Sequence, residues 1–511
     1  MKKFYITTPL YYPSGKLHIG HTYSTVLADA VARYKRERGF DVCFVTGTDE
    51  HGQKMAEAAE KAGLSPQDFA DGMVVEIKKL WEKLGITYDK FRRTTAEDHV
   101  VRVQKMVEKL IEKGDIYKGE YEGNYCVPDE AFWTDAQLTP EGRCPDCGGE
   151  VVKRKEEAYF FKLSKYQERL EKLFEENPDI LKPHYRINEM MNNFIKPGLE
   201  DVALTRSNFS WGVPFPGDEK HVLYVWFDAL SGYLTSLGIP DADAADAGYW
   251  PADVHVIAKE IVRFHSIIWF SWLTALELPL PKRVHAHGWI LFDGKKIGKR
   301  SNSNINPFEL ADKYGIEALR YFLLSEFEND KDGQYTEEIL MQRINSDLAN
   351  DFGNLVSRSI SMVEKYFGGV IPAIGAPTEF DADLVSKAVG CLAKVDAYMD
   401  DVNTKAALGE IWELIRRANK YIDETMPWAL AKTEDPKLAT VMYHLMDVLR
   451  IVSTLIRPFM PLTSAEVARR LGTTLGDLDT AAEFGKTAAG VKVEKGDNLF
   501  PRIDIKAELE K

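Results

Sequence analysis

"FYITTPLYYPSGKLHIGHTYSTVLADAVARYKRERGFDVCFVTGTDEHG", residues 4–52, decides the fold. Its first letters, 4–8, are an apolar run with the look of a buried strand. A Pro/Tyr/Gly loop follows at 9–16. From about Leu17 to Arg38 apolar residues recur at helical spacing, and Gly39 ends the helix. "DVCFVTGTDEHG" is a second apolar strand that runs into a Gly/Asp loop. Strand, helix and strand within about fifty residues make a βαβ unit, and with it a parallel, doubly wound sheet of Rossmann type.

The rest of the 511 residues allow two to four domains. Composition is that of a globular protein, 45% apolar and 28% charged. A net charge of -14 argues against indiscriminate nucleic-acid binding, though a local basic face can still serve one RNA. Five cysteines, one of them (Cys43) alone in an apolar run, do not form a disulfide framework. The chain starts with Met1-Lys2-Lys3 and goes directly into a strand, which is not a signal peptide. No run reaches the roughly 18 uninterrupted apolar residues of a membrane span. A cytoplasmic protein with no membrane partner is expected.

Helical patterns continue to about Gly114. Between about Tyr117 and Glu150 the texture changes to short aromatic strands, turns and three clustered cysteines, an insertion. "HVLYVWFDALSGYLTSL" and "DVHVIAKEIVRFHSIIWFSWL" restore the strand-then-helix texture. "RVHAHGWILFDGKKIGK" adds a strand and a basic loop. Strands nearly vanish after about Lys331, and amphipathic helices fill 338–470, with "GGVIPAIGAPTEF" as a break. "LFPRIDIKAELE" reads as a short strand and helix. The expected division is 1–115, 116–205, 206–330, 331–370 and 371–511.

"GKLHIGHT" nearly spells a phosphate-binding GxxxxGK(S/T) loop, with Gly15, Gly20 and Thr22 in place but His21 where the lysine belongs. Without that cation the loop loses its main charge. The alternative is a histidine pair. His18 and His21 are three apart on a first helical turn and share a face beyond the first strand, where doubly wound sheets bind ligands. Two imidazoles at a helix N-terminus suit a triphosphate. Separately, "YCVPDEAFWTDAQLTPEGRCPDCGG" spaces Cys126, Asp129, Cys144 and Cys147 as C-x-x-D…C-x-x-C. That pattern is either a structural zinc knuckle with an uncommon aspartate ligand or a decayed knuckle held by hydrogen bonds.

"PLYYPSGKLHIGH" resembles the HIGH signature of class I aminoacyl-tRNA synthetases. "TGTDEHG" (46–52), "YVWFDALSGY" (224–233) and "AKEIVRFHS" (258–266) are similar to blocks of the methionyl-tRNA synthetase family, and the resemblance covers nearly the whole chain. It implies a catalytic domain in two halves, 1–115 and 206–330. A connective insertion with the knuckle lies between them, and linking helices and an all-α anticodon-binding bundle at 371–511 follow. It implies ATP with Mg2+, methionine and tRNA(Met) as substrates, in a two-step ligation through methionyl-adenylate. Alternatives are a non-catalytic tRNA-binding paralogue and a class I synthetase for another apolar amino acid.

By position, His18, Gly20, His21, Lys259, Glu260 and Lys299 belong to the ATP site. His18, His21, Lys296 and Lys299 carry the catalysis. Lys296 and Lys299 are what remains of the family's KMSKS loop, here Lys296-Ile297-Gly298-Lys299-Arg300. Cations that engage departing pyrophosphate stabilise the transition state more than the ground state. Asp49 is the counter-ion of the amino group, and Leu10, Tyr12, Trp226, Leu230, Tyr233, Ile261 and His265 line the side-chain pocket. A thioether suits aromatic edges, and Tyr and His are expected to offer it a weak donor. Asn354 and Arg358, one helical turn apart, and Trp428 after Pro427 are the anticodon readers. In some relatives a tRNA-binding module that dimerises begins after the motif "LFPRID", so a monomer is expected.

Overall fold

Lys3–Tyr11 (β1), Ile19–Glu37 (α1) and Asp41–Thr48 (β2) are the strand, helix and strand expected from the opening stretch. The structure is a computed structural model. It describes residues 1–129, 131–133, 135–292, 294–296 and 305–510, with backbone alone at 121, 122, 131, 132, 136, 154–156 and 296. A six-stranded sheet runs in the order Lys90–Arg93, β2, β1, Val254–Ala258, Val284–His287, Leu181–Lys182. Every pairing in it is parallel. From β1 the chain winds outward through β2, and the second half starts again on β1's other side. The reversal of strand order therefore falls between β1 and Val254–Ala258, the point beyond whose carboxyl ends doubly wound sheets generally form a ligand crevice.

β1 is longer than its sequence suggests, because it continues through Pro9. Thr7 pairs with Val45 and Leu10 with Gly47, so β1 spends one residue more than β2 between the two pairs. This is a β-bulge, the place where a strand tolerates a residue without an N–H. Thr8 and Thr46 exchange a hydroxyl hydrogen bond of 2.7 Å across it. The extra residue shifts the alternation. Leu10 joins Tyr5 and Thr7 on the face toward the helix Val225–Thr235, while Tyr11 turns toward α1. There the Tyr11 hydroxyl lies 2.6 Å from Thr25 Oγ1. On the opposite face the Tyr5 hydroxyl donates to the Tyr233 carbonyl at 2.7 Å.

Strands Ala131–Trp133, Ile116–Cys126, Val152–Phe161 and Val202–Ala203 build a separate antiparallel sheet in that order. It carries its own small core of Cys126, Trp133 and Cys144.

The chain divides into two units. One holds Met1–Ala28 and Asp41–Trp289, the other Asp29–Phe40 and Asn306–Lys511, with 290–305 shared between them. The second unit is helical. Its inner helix, Lys437–Ile456, is the one among the described residues long and apolar enough to cross a membrane, and 94% of its most apolar window is buried in the protein. Inside this unit Asp29 accepts from Arg33 at 2.8 Å and pairs with Arg320 at 2.7 Å, both Asp29 and Arg320 fully enclosed. The segment after Leu499 is not a strand. Ile503 is instead held by the Asn345 amide, which accepts from its N–H and donates to its carbonyl, both at 2.8 Å. One side chain there supplies the two bonds a neighbouring strand would have supplied.

Candidate functional site

α1 starts at the crevice, and its first turn shapes the two histidines. His18 lies just before the first helical residue, and its Nδ1 accepts from the Gly20 N–H at 3.1 Å, a cap for one orphan donor. The His18 N–H in turn donates to His21 Nδ1 at 3.1 Å. The rings meet with centroids 3.9 Å apart. A ring nitrogen that accepts carries no proton, so both imidazoles hold theirs on Nε2. The pair thus has two N–H donors at a helix N-terminus, the arrangement an anion needs. Gly20 serves His18. A Cβ at position 20 would fall 3.0 Å from the His18 ring, so any side chain there displaces the imidazole. The glycine thus makes room for the ring. His21 stands edge-on against Tyr11, 5.4 Å between centroids.

The side-chain pocket residues converge from three elements. Leu10 comes from β1 beyond the bulge. Trp226, Leu230 and Tyr233 come from Val225–Thr235, and Ile261 and His265 from the irregular helix after Val254–Ala258. Leu10, Leu230, Tyr233 and His265 are buried, and Tyr12, Trp226 and Ile261 are half-buried. Gly232 permits the approach of Leu10, since a Cβ there would lie 2.5 Å from the Leu10 methyl. The His265 Nδ1 donates to the Ile261 carbonyl at 2.9 Å, which leaves Nε2 to accept from the Tyr233 hydroxyl at 2.8 Å. Burial lowers the His265 pKa to about 4, against the Ile261 bond that favours the proton, so the ring is neutral. The expected donor toward sulfur is therefore corrected. Tyr233 gives its proton to His265, and His265 gives its own to the backbone. The expected pocket would present ring edges and aliphatic surface. Behind it His255 accepts from the Trp269 indole at 3.3 Å and meets Thr7 Oγ1 at 2.7 Å.

Asp49 follows β2, buried, its N–H donating to the Tyr11 carbonyl at 2.9 Å. Burial first, then the charges of Tyr11 and Asp49, push the Tyr233 hydroxyl pKa up. The neighbours of Asp49 are a network that sequence reading missed. Glu50, fully buried, receives Arg93 through both oxygens at 2.8 and 2.9 Å. His51 Nδ1 meets Asp228 Oδ2 at 2.7 Å, and His99 Nε2 meets Asp228 Oδ1 at 2.6 Å. Burial works to raise the Asp228 pKa, but the His51 charge and the bonds from both histidines outweigh it and bring it to about 2. This carboxylate joins the "TGTDEHG" loop to the helix that carries Trp226, Leu230 and Tyr233. The one available signal was an acid at a core-facing position of an apolar helix.

Lys259 and Glu260 follow Val254–Ala258 on the crevice's far side. Trp289 holds both. The Lys259 Nζ lies 3.9 Å from its ring centroid, and its indole donates to Glu260 Oε2 at 2.6 Å. Ile305 lies against the histidine turn, its carbonyl accepting from the Ile19 N–H at 3.3 Å. Lys299, with Ile297, Gly298 and Arg300, lies outside the described residues. Lys296 is described by backbone alone, paired with Leu291.

In the insertion, one ligand atom each from Cys126, Asp129, Cys144 and Cys147 lies within 4.8 Å of the others. Cys126 and Cys147 sulfurs are 3.5 Å apart, and Asp129 Oδ2 lies 3.5 Å from Cys126 and 3.1 Å from Cys144. A tetrahedral zinc with bonds of about 2.3 Å to sulfur and 2.0 Å to oxygen has edges of about 3.5–3.8 Å. The four residues fit that ion. Burial raises the Cys144 thiol to about 11, a preference that a bound cation reverses.

In the helical unit Asn354 is exposed at the start of Asn354–Phe367. Arg358, a turn later, meets Asp423 at 3.4 Å. Asp423 lies near the end of Thr404–Thr425, where Met426 takes a left-handed conformation and Pro427 starts the next helix. Trp428 follows, 43% exposed.

The family model of class I tRNA synthetases (M) matches residues 4–153 and 147–360, and that of the anticodon binding domain of methionyl tRNA ligase matches 371–510. A methionine–tRNA ligase of Clostridium tetani is 53% identical over 512 residues, covering 100% of this chain and 80% of the relative. The ligase of Caldanaerobacter subterraneus subsp. tengcongensis is 54% identical, covering 99% and 80%. Among solved structures, Mycobacterium tuberculosis methionyl-tRNA synthetase in complex with methionyl-adenylate aligns with a TM-score of 0.94 at 37% identity, over 98% of this chain and 100% of that one.

Proposed function

Because the chain belongs to the methionyl family of class I tRNA synthetases, we propose a division of labour in which the crevice makes methionyl-adenylate and the helical unit reads the tRNA. The protein is a methionine–tRNA ligase by activity. The carboxylate of methionine attacks the α-phosphorus of ATP, pyrophosphate leaves, and the acyl group then passes to the terminal adenosine hydroxyl of tRNA.

Each role is consistent with the residue's surroundings where these are described, and Lys296 and Lys299 take theirs from the resemblance alone. The Nε2–H groups of His18 and His21 bind phosphate oxygens, with Gly20 giving the ring room. Lys259 and Glu260, placed by Trp289, take the nucleotide, Glu260 on the ribose hydroxyls. Lys296 and Lys299 meet the departing pyrophosphate. Mg2+ accompanies the ATP. Asp49 binds the methionine ammonium. Leu10, Tyr12, Trp226, Leu230, Tyr233, Ile261 and His265 enclose the thioether, which gains dispersion and sulfur–ring contacts there. With Tyr233 and His265 occupied by each other, selection rests on shape. That limits discrimination against a side chain one methylene different to about 1–3 kcal/mol. Cys126, Asp129, Cys144 and Cys147 would hold a zinc ion, which would cross-link the insertion. Asn354 and Arg358 read base edges of the CAU anticodon of tRNA(Met), and Trp428 stacks a base.

The histidine pair carries this reading, since two imidazoles with their protons on Nε2 at a helix N-terminus suit a polyphosphate. ATP–pyrophosphate exchange with a panel of amino acids tests it. Methionine should support exchange far above every other amino acid. Equal exchange with another apolar amino acid, or none with any, would overturn it.

A further inference from the structure

Arg263 lies in the same block as Lys259, Glu260, Ile261 and His265, yet those roles leave it unused. Its guanidinium carbon is 4.5 Å from the ring centroid of Trp133, 4.8 Å from Phe264 and 5.4 Å from Phe194. Trp133 belongs to the inserted sheet, where it is 2% exposed and packs with Cys126 and Cys144. Its indole N–H finds no acceptor among the described residues, so packing and the cation fix the ring. On the other side Phe264 stacks on Trp226, centroids 3.8 Å apart and planes within 5°. Trp226 is a wall of the proposed methionine pocket. A continuous stack thus runs from the cysteine cluster through Trp133, Arg263 and Phe264 to that wall. The wide helical turn Phe264–Ile268 gives Arg263 and Phe264 their directions. Only a guanidinium suits the position, because it is flat, stacks on rings and carries its charge on a long apolar stem.

We propose that Arg263 is a positioning residue that sets the Phe264–Trp226 wall of the methionine pocket against the Trp133 face of the insertion. The inference rests on the reading of that pocket as the methionine site. It makes the insertion a support for amino-acid affinity, acting through Trp226 and not through the Trp289 contacts of Lys259 and Glu260.

The test is a double-mutant cycle in the full chain with Arg263→Met and Trp133→Leu, with Arg263→Lys as a milder change. Thermal melting checks that each variant folds. Methionine Kd by calorimetry, and the KM values for methionine and ATP in pyrophosphate exchange, are the readouts. Arg263→Met should raise methionine Kd and KM by about five- to tenfold, with the ATP KM within about twofold, and Arg263→Lys should fall between. Trp133→Leu should do the same alone and add less than about twofold to Arg263→Met, as expected of two parts of one contact. The proposal is overturned if the two effects multiply, if methionine and ATP constants move together, or if neither moves. Leu230→Ala separates the two readings. If it raises methionine KM while Arg263→Met does not, the pocket stands and the coupling falls. If it leaves methionine KM unchanged, the pocket reading has failed first.

Discussion

The crevice and the exposed face of the helical unit use similar residues under opposite conditions. In the crevice His51, His99, Asp228, Tyr233 and His265 are buried and each bonds to another, so polar atoms spend their capacity on holding positions. On the helical unit Asn354 and Trp428 are exposed, and Arg358 has a long contact to Asp423. Activation needs groups in place before charge develops, because reorganisation during the reaction costs rate. An unpaired base needs an open ring face and a donor that can exchange partners. On the proposed roles, the first region would store its specificity in the fold, and the second would keep it for the complex.

Substitutions can break that contrast, and the largest effect belongs to the crevice. Asp228→Ala removes the acceptor shared by His51 and His99. It should cost about 3–5 kcal/mol of unfolding free energy in denaturant titration; a loss under about 1 kcal/mol would show the network to be incidental. Lys299→Ala should slow pyrophosphate exchange roughly a hundredfold or more, with tRNA affinity intact. A change within about twofold would remove Lys299 from the reaction.

Trp428→Ala should weaken tRNA binding by about 1–3 kcal/mol and leave pyrophosphate exchange unchanged. Loss of exchange would blur the two regions into one. Acid sharpens the contrast further. Burial holds the pKa of His255 well below the ordinary value, His265 at about 4 and His285 at about 3. Below about pH 6.5 the unfolded chain takes up protons that the folded chain refuses, so stability should fall with pH by about 1.4 kcal/mol per unit for each. The loss should be complete for His265 only below about pH 4. His285→Leu should flatten that slope and keep stability at pH 7, since neither ring nitrogen of His285 has a hydrogen-bond partner among the described residues. An unchanged slope in acid melting would exclude it. The smallest effect is Asp423→Ala, within about 1 kcal/mol, because the ion pair it removes is exposed.

Short-range features of this molecule were legible in the sequence. The period of Ile19–Glu37, the apolar runs around it, and the cysteine spacing all depend on neighbours a few residues apart. The roles assigned to Leu10, Trp226, Leu230, Tyr233 and His265 come only from the resemblance. What escaped is long-range or geometric. His51 and Asp228 are 177 residues apart, and no periodicity links them. Trp289 reaches Lys259 and Glu260 only because two strands are adjacent. The proton placement on His18, His21 and His265 depends on which backbone groups lie within 3 Å or so of each ring. The strand expected over 4–8 runs on to Tyr11, because a bulge carries it through Pro9, and a bulge depends on the partner strand's register.

That bulge has a consequence for how the site can change over time. Strand residues alternate strictly, so a single inserted residue works like a frameshift, confined to one wall and corrected by nothing downstream. Leu10 faces the proposed methionine pocket, and Tyr11 faces the histidine turn, because the count is off by one at Pro9. A substitution that let β1 pair regularly with β2 would exchange those two side chains in one step. It would empty the pocket wall and crowd the histidines together. Thr8, Pro9 and Thr46 touch no substrate in this account, yet they set the phase in which every residue after them is read.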